Sequence, residues 1–513
     1  MRTVGYGELV EKFGLTVTRP DSAAFLVEQG HRQTRSHDGF TEERYPLRYA
    51  PGPAWTDHLT FALKHEGVNL EILAALFSRA PEAELATWIA SSPTGRYTRL
   101  AWFFFEWLTG RRLDLPSLTQ GNYLHVLDPG AYYTAPPAKG APRARRQRLI
   151  NNLPGTPAYC PLVRRTKALE AHIAGRLEQK IRERLAEFPE MLIRRAAQYL
   201  YLKETKSSYA IESLRPDARR TTRFVELLHR SGGADCFSEA ALVGLQNAIV
   251  DGRYAAKSFR NFQNFIGQSL GPGRELVHYA PPRPEDLPGM MAGWTECCRN
   301  MLAGGMPPVA AAAVAGFGFV FLHPFEDGNG RIHRFLIHHV LAATGFSPPG
   351  IIFPVSAQML RERPRYDEML EHHSRRIMEH VEWRFTPGGE LVVENDTASL
   401  YRYPDMTLLA ERMFGMVRET LLFEFGAELE YLAAFDEARE EMRGVVDMPD
   451  ARMDLFIRLC LQGKGLLSRA KRGIFSELSD GECARMEEIV GGAMRRARES
   501  QEDDGPWPPP AAG

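Results

Sequence analysis

Residues 309–334 read VAAAAVAGFGFVFL followed by HPFEDGNGRIHR, and this stretch decides the fold of the middle of the chain. The apolar run at 309–322 is shorter than the roughly 20 residues that a membrane span needs, so it predicts a helix buried in a protein core. A second helix is expected after the polar segment, because apolar positions recur there at helical spacing. These positions are Ile332, Phe335, Leu336, His339 and Val340.

The polar segment between the two expected helices contains the turn Gly328-Asn329-Gly330. Glycine takes positive φ without steric cost and lets a ligand approach the backbone closely. Successive backbone N–H groups at such a turn, leading into a helix N-terminus, form a concave site for an anion. The turn therefore predicts a place where phosphate oxygens bind.

Charged side chains surround this turn. Arg331 and Arg334 lie three residues apart in the first turn of the second helix, where two cations oppose the helix dipole at a cost of about 0.3–1 kcal/mol each. That arrangement predicts a bound anion, of which a polyphosphate is the natural one. Asp327 is placed to hold Mg²⁺ against it, and His323 has the near-neutral pKa that suits a general base. Each feature alone is more often structural, but together they predict phosphoryl or nucleotidyl transfer.

The motif HPFEDGNGRIHR resembles the signature of the Fic family, H-x-F-x-(D/E)-G-N-G-R-x-x-R, at every fixed position. The resemblance covers about residues 190–380. It implies a mainly α-helical core with a small β-hairpin flap, here flanked by mostly helical N-terminal and C-terminal domains. Fic proteins typically transfer AMP from ATP to a Ser, Thr or Tyr hydroxyl of a target protein, so the resemblance also implies ATP as substrate and Mg²⁺.

The family's roles carry over onto matching positions. His323 would deprotonate the target hydroxyl, which attacks the α-phosphorus, and Asp327 would bind Mg²⁺ bridging the α- and β-phosphates. Phe325 would anchor the loop in the core. Retention of Gly330, where some members that transfer phosphate have Lys, favours adenylylation. The implied phosphate contacts are Gly328, Asn329 and Gly330 for the oxygens, Arg331 for the β-phosphate and Arg334 for the γ-phosphate.

A second segment, Ser208-Tyr209-Ala210-Ile211-Glu212, is similar to the family's inhibitory helix motif, (S/T)-x-x-x-E-(G/N). The chain departs from the pattern at Ser213, where the family has Gly or Asn. The similarity implies that Glu212 pairs with Arg334 and keeps the γ-phosphate out of its productive position, so that the protein inhibits itself. The alternative is that Glu212 pairs with Arg215 on a solvated helix.

Two weaker predictions concern the walls of the site. The segment KSFRNFQNFIG at 257–267 is similar to the family's flap, whose exposed edge would receive the target's modified segment by strand addition. Ordinary core packing of its three phenylalanines is the alternative. Tyr366 falls where Fic proteins often place an aromatic residue near the adenine, although core packing is an equal explanation.

Three histidines follow the motif closely. His333, His338 and His339 point to different helix faces, which argues against a metal cluster.

Composition changes divide the chain into four expected parts. Residues 1–150 form an N-terminal region without a chemical motif, which ends in the Pro- and Arg-rich connector APPAKGAPRARRQR. Residues 151–387 would form the Fic domain with its inhibitory helix near 207–213, and residues 388–498 a helical C-terminal domain. The stretch 499–513 is expected to be a disordered tail.

The overall composition limits the function. Lys and Arg total 63 against 64 Asp and Glu, which argues against a protein that mainly coats nucleic acid or an anionic membrane. None of the six cysteines forms a C-x-x-C pair, and the N-terminus lacks an apolar core of signal-peptide length. We therefore expect a cytoplasmic protein. Two other functions stay open: removal of AMP or transfer of another phosphate-linked group at the same site, and nucleotide sensing without catalysis.

Overall fold

The computed structural model describes residues 1–28, 30–37, 40–136, 140–269, 271, 275–463 and 465–503. Helices dominate these residues and the strands form only small sheets, so the predicted mainly α fold is confirmed. In the part of the chain so described, no helix is both long and apolar enough to cross a lipid bilayer.

The α-helices follow in chain order. They are α1 (Tyr6–Phe13), α2 (Trp55–Phe61), α3 (Leu70–Arg79), α4 (Glu82–Ser91), α5 (Arg96–Thr109), α6 (Lys167–Ala174), α7 (Leu177–Ala186), α8 (Glu190–Ile211), α9 (Ala218–His229), α10 (Glu239–Ile249), α11 (Leu287–Gly304), α12 (Pro308–Leu322), α13 (Asn329–Ala343), α14 (Val355–Arg361), α15 (Arg363–Met378), α16 (Ala398–Arg402), α17 (Thr407–Glu419), α18 (Ala427–Arg443), α19 (Asp450–Gln462), α20 (Arg469–Arg472) and α21 (Asp480–Asp503).

The strands are short and form four separate sheets among the described residues. They are β1 (Arg2–Thr3), β2 (Ser22–Val27), β3 (Gln33–His37), β4 (Phe40–Pro46), β5 (Leu124–His125), β6 (Arg143–Ala144), β7 (Leu149–Ile150), β8 (Ile266–Ser269), β9 (Glu275–Tyr279), β10 (Trp383–Phe385) and β11 (Leu391–Val393). An N-terminal sheet has the order β1-β2-β4-β3, with β2 and β4 parallel, and a second sheet has the order β5-β7-β6. The pairs β8/β9 and β10/β11 are antiparallel hairpins.

The chain divides into two compact units, and each unit is assembled from distant segments. The first unit comprises residues 1–169, 230–344 and 363–413, and the second comprises residues 170–229, 345–362 and 414–513. The divisions expected from composition at 150 and 388 stay predictions. The expected tail begins inside α21, which extends to Asp503, and the rest of it, 504–513, lies outside the described residues.

The core of the first unit that matters for function is the pair α12 and α13. Every residue of the predicted apolar run 309–322 is buried, as is most of α13, so both predicted helices are confirmed. A glycine permits their close approach: a Cβ on Gly316 would lie 3.0 Å from His333 Nδ1 and 3.0 Å from Ile337 Cγ1. The loop joining these two helices is thereby held between rigid elements.

Candidate active site

The loop of residues 323–328 connects α12 to α13 and carries the motif. Ile332 is the first residue of α13 whose N–H bonds back along the helix, to the Gly328 carbonyl at 3.0 Å. The N–H groups before it have no acceptor within the helix, and the helix dipole adds partial positive charge there. The start of α13 is therefore suited to an anion, as the sequence predicts.

His323 caps the C-terminus of α12 with a left-handed backbone, φ 48°. Its N–H donates to the Phe319 carbonyl at 3.0 Å, and its Nδ1 lies 3.2 Å from the Val320 carbonyl. Because a carbonyl only accepts, Nδ1 carries the hydrogen and Nε2 keeps a lone pair for a proton. Non-glycine residues with this backbone often occur at functional sites.

The prediction of a near-neutral pKa for His323 is wrong. Burial lowers the pKa of this imidazole to about 4, because desolvation disfavours the charged form, and the nearby Arg260 cation acts in the same direction. At neutral pH the ring is therefore uncharged. An uncharged imidazole with Nε2 open is the form that accepts a proton from a hydroxyl.

Asn329 closes the loop onto itself. Its Oδ1 accepts from the Phe325 N–H at 3.0 Å and its Nδ2 donates to the Phe325 carbonyl at 2.7 Å. Phe325 is buried, with its ring centroid 5.6 Å from that of Phe259 and 6.3 Å from that of Phe319. Phe325 thus anchors the loop as expected. The side chain of Asn329 is used within the loop, which leaves its backbone for the predicted phosphate contact.

The two glycines of the turn differ. Gly328 takes φ 91°, and a Cβ there would lie 2.8 Å from Val250 Cγ1, so both conformation and space require glycine. Gly330 lies within α13 and does not use positive φ. The expected backbone freedom is therefore used at Gly328 alone.

Asp327 and Arg331 form an ion pair one helical turn apart. Arg331 Nη2 donates to Asp327 Oδ1 at 2.6 Å, and Arg331 Nη1 donates to the Ile249 carbonyl at the end of α10 at 3.0 Å. The Gly328 N–H also donates to Asp327 Oδ1, at 2.6 Å. The carboxylate of Asp327 thus supplies part of the negative charge that was expected to compensate Arg331 at the start of α13. Contact between Arg331 and a β-phosphate stays a prediction.

The other predicted arginine, Arg334, is buried on α13 one turn further on. Ser208 is buried in α8 and Glu212 is the C-terminal cap of that helix. Ser208 and Glu212 belong to the second unit and Arg334 to the first, so the predicted pairing of Glu212 with Arg334 stays a prediction.

The backbone of Ser213 gives a physical reason for the family pattern at the end of α8. Its φ is 58°, in the left-handed region, its N–H donates to the Ala210 carbonyl at 2.9 Å, and the Leu214 N–H donates to the Tyr209 carbonyl at 3.0 Å. These two bonds define a Schellman motif, whose C′ position is usually Gly or Asn. The residue after Glu212 therefore occupies a position that favours the residues of the family pattern.

Three polar residues that the sequence reasoning missed hold the loop. Arg260 is buried, and its Nε donates to the His323 carbonyl at 2.9 Å. Gln246 on α10 donates to the Asp327 carbonyl at 3.2 Å, and Asn264 donates to the Phe325 carbonyl at 3.0 Å. Their partners are backbone carbonyls, which leave no signal in side-chain patterns, so only the structure identifies them.

The flap hairpin is present but lies further along the chain than the segment 257–267 suggests. Its strands are β8 and β9, paired antiparallel with Gln268 opposite Leu276. Residues 270 and 272–274, between the strands, lie outside the described residues. Phe262, Ile266 and Leu276 are exposed, whereas Phe259 packs on Phe325. The apolar residues of this region thus divide between an exposed hairpin surface and core packing.

A cavity of about 200 Å³ adjoins the motif loop in the first unit. Residues 253–262 line one side of it, and Phe325 and Glu326 line the other. It opens beside the loop that carries His323. The space next to the motif is therefore large enough for a side chain.

Asp327 is the candidate ligand for a metal. Within the residues that the structure describes, no group of three or more His, Cys, Asp or Glu side chains is placed to hold a metal ion. Asp327 Oδ2 accepts no hydrogen bond from those residues, and the side chain is 41% exposed. Mg²⁺ in nucleotide sites commonly takes one or two carboxylates, with phosphates and water as its other ligands, so a single carboxylate fits Mg²⁺ bound together with ATP.

Tyr366 is buried on α15, and its ring stacks on His333 at 6.2 Å between centroids. This favours the core-packing alternative, and contact with adenine stays a prediction. His333, His338 and His339 are all buried on α13. Burial lowers the pKa of His333 to about 3 and that of His339 to about 4, so both are neutral core residues.

Comparison with known proteins agrees with this site. Residues 236–341 match the model of the Fic/DOC family. A protein adenylyltransferase Fic of Nematostella vectensis is 27% identical over 263 residues, which cover 47% of this chain and 57% of that protein. The protein adenylyltransferase Fic of Culex quinquefasciatus is 37% identical over 97 residues, 18% of this chain and 17% of that protein.

A Fic family protein of Desulfovibrio desulfuricans G20 aligns structurally with a TM-score of 0.38 and 18% identity, covering 68% of this chain and 96% of that chain. Of the two sequence relatives, the chain spans little more than half the length of the Nematostella protein and under a fifth of the Culex protein. The family match includes α10, α12, the motif loop and most of α13. The segment that carries the candidate site is therefore a Fic domain.

Proposed function

We propose that this Fic domain transfers AMP from ATP to a Ser, Thr or Tyr hydroxyl of a target protein. The observation that carries the proposal is His323, which is uncharged and stands first in the loop that leads to the N-terminus of α13, with no hydrogen bond to its Nε2 among the described residues. A base beside an anion site is the arrangement that nucleotidyl transfer to a hydroxyl requires. The names of the curated relatives, protein adenylyltransferases, support the same reaction.

In the proposed step, His323 Nε2 accepts the proton of the target hydroxyl. The hydroxyl oxygen forms a bond to the α-phosphorus, the bond between that phosphorus and the bridging oxygen breaks, and pyrophosphate leaves with the bonding electrons. Backbone N–H groups at the start of α13 and the guanidinium of Arg334 stabilise the phosphate charge. Catalysis then consists mainly of positioning and charge neutralisation.

Asp327 supplies the carboxylate that would hold Mg²⁺, and the ion would neutralise charge on the α- and β-phosphates. Arg331 fixes the orientation of Asp327 through its 2.6 Å contact with Oδ1, which leaves Oδ2 for the metal. The target segment adds to the flap hairpin. Within the described residues, β8 pairs with β9 alone, so its other edge is open to a further strand.

Replacement of the base tests the chemical role. His323→Ala is expected to abolish transfer of label from α-labelled ATP to protein while ATP affinity stays within about twofold, since Nε2 acts on the hydroxyl and not on the nucleotide. His31→Ala, at an exposed histidine, is the control. Undiminished labelling by the His323 variant would remove the base from the mechanism. Label retained from the γ-position of ATP would instead indicate phosphate transfer.

We further propose that Glu212 inhibits the enzyme by pairing with Arg334. Glu212→Gly and Glu212→Gln are each expected to increase AMP transfer or self-modification at least tenfold, because Arg334 is then available to the γ-phosphate. Glu226→Gln, at an exposed position on α9 in the same unit, is the control and should leave labelling unchanged. Equal labelling by wild type and the Glu212 variants would contradict self-inhibition and leave the transfer reaction standing.

A further inference from the structure

Arg260 has an unusual environment for a charged residue. It is 5% exposed, and its backbone N–H donates to the Pro324 carbonyl at 2.8 Å. Its guanidinium donates to three more backbone carbonyls: Nε to His323 at 2.9 Å, Nη1 to Phe262 at 3.0 Å and Nη2 to Pro282 at 2.6 Å. All four acceptors belong to the first unit.

These acceptors belong to three separate pieces of chain. Phe262 precedes β8 and Pro282 follows β9, so two of the donors hold the two ends of the flap hairpin. The other two donors hold His323 and Pro324, which begin the motif loop. A single side chain therefore fixes the base of the hairpin to the backbone of the catalytic histidine.

The burial of this cation is costly. Among the described residues, no carboxylate lies within ion-pair distance of the guanidinium, and desolvation lowers the pKa of Arg260 to about 10. A buried guanidinium without an anionic partner is expensive, and an apolar side chain of similar length would avoid the cost. Only arginine, however, offers five N–H donors in one rigid plane, which can hold carbonyls from three segments at once.

We propose that Arg260 is a positioning residue that sets the distance between the flap hairpin and His323. A target segment paired with the open edge of β8 then presents its hydroxyl to the imidazole of His323. The backbone carbonyl of His323 and the two ends of the hairpin are held by the one guanidinium of Arg260. The left-handed conformation of His323 makes this support important, because that conformation persists only where surrounding contacts hold it. The inference rests on the proposed transfer reaction.

The test compares variants in the Glu212→Gly background. Arg260→Met keeps the bulk and loses every side-chain donor, and Arg260→Lys keeps the charge without the planar fork. We expect the transfer rate at saturating ATP to fall at least tenfold in Arg260→Met and by less in Arg260→Lys, while the affinity for ATP stays within twofold. Arg299→Met, which breaks an exposed pair with Asp235, is the control and should leave the rate unchanged.

Hydrogen exchange provides a readout that does not depend on turnover. Arg260→Met should increase exchange together in residues 262–269 and in the loop 325–328, and leave α11 unchanged.

Chemical rescue is the second test, used if Arg260→Met does not fold. Arg260→Ala is then assayed with added guanidinium. We expect guanidinium to restore turnover and methylammonium not to restore it.

Three results would overturn the inference: a folded Arg260→Met that keeps full turnover, a loss of turnover matched by an equal loss of ATP affinity, or no rescue by guanidinium. A Glu212→Gly parent without any transfer would instead refute the proposed function. The exchange measurement would then still decide whether Arg260 ties the two segments together.

Discussion

Ser213 is the residue at which this chain departs from the family's inhibitory pattern. Its backbone has a conformation that glycine adopts more easily than serine. With φ 58° it holds the C′ position of a Schellman motif directly after Glu212. A side chain in the left-handed region costs roughly 1–2 kcal/mol, which glycine avoids. The end of α8 that carries Glu212 is thus less stable here than glycine would make it.

Ser213→Gly is therefore expected to stabilise the protein by roughly 0.5–1 kcal/mol, since glycine relieves the strain but loses more entropy on folding. Denaturant titration of the purified variant measures this change. Ser213→Ala keeps the Cβ and should give no gain, which makes it the matched control. Equal stability of the glycine and alanine variants would show that the backbone at 213 is not strained.

At the scale of elements, prediction from sequence succeeds where a pattern is local. The apolar run 309–322 and the spacing after residue 330 predict α12 and α13, and both helices are present. An anion site at the glycine turn between them stays a prediction. The sheet of residues 2–46 was missed because β3, QTRSH, is exposed throughout and β4 is mostly polar, so neither shows an apolar alternation. Arg260 was missed because its partners are backbone carbonyls, which leave no signal in a pattern of side chains.

The turn that begins α13 allows a sharp test of such a local requirement. Gly328→Ala meets both an unfavourable φ of 91° and a contact of 2.8 Å with Val250, whereas Gly350→Ala meets φ 76° with nothing within 4 Å. We expect Gly350→Ala to cost about 1 kcal/mol of stability and Gly328→Ala clearly more, on the order of 2–4 kcal/mol. Thermal unfolding measures both. Equal losses would show that Val250 yields without cost.

At the scale of the whole molecule, the first unit buries titratable groups of both kinds. Burial lowers the pKa of His323 and His339 to about 4 and that of His333 and His373 to about 3. The same effect raises the pKa of the carboxyls of Glu66 and Glu71 to about 7. Between pH 4 and 7 the histidines and the carboxyls change the stability of the folded protein in opposite directions as the pH changes. The histidines are the more numerous of these groups.

The sign follows from proton counts. Between pH 6.5 and about 4 an unfolded histidine binds a proton that the folded one does not, so acid removes stability, about 1.4 kcal/mol per pH unit for each full proton. Glu66 and Glu71 keep their protons in the folded protein up to about pH 7, whereas in the unfolded chain they release them above about pH 4.5. Their contribution to the stability of the folded protein therefore decreases as the pH rises towards 7. With these four histidines against two carboxyls, we expect the melting temperature of the protein to fall between pH 7.5 and pH 5.

His373→Phe isolates one contribution to this fall. The phenyl ring can keep the stacking of His373 on Phe321, whose centroids lie 4.0 Å apart, and it removes the group that titrates. The fall in melting temperature between pH 7.5 and pH 5 should therefore become smaller in this variant, and His31→Gln, at an exposed position, should not alter it. Calorimetry at several pH values measures both. An undiminished fall in His373→Phe would mean that His373 is protonated in the folded protein, and that burial does not keep the ring neutral.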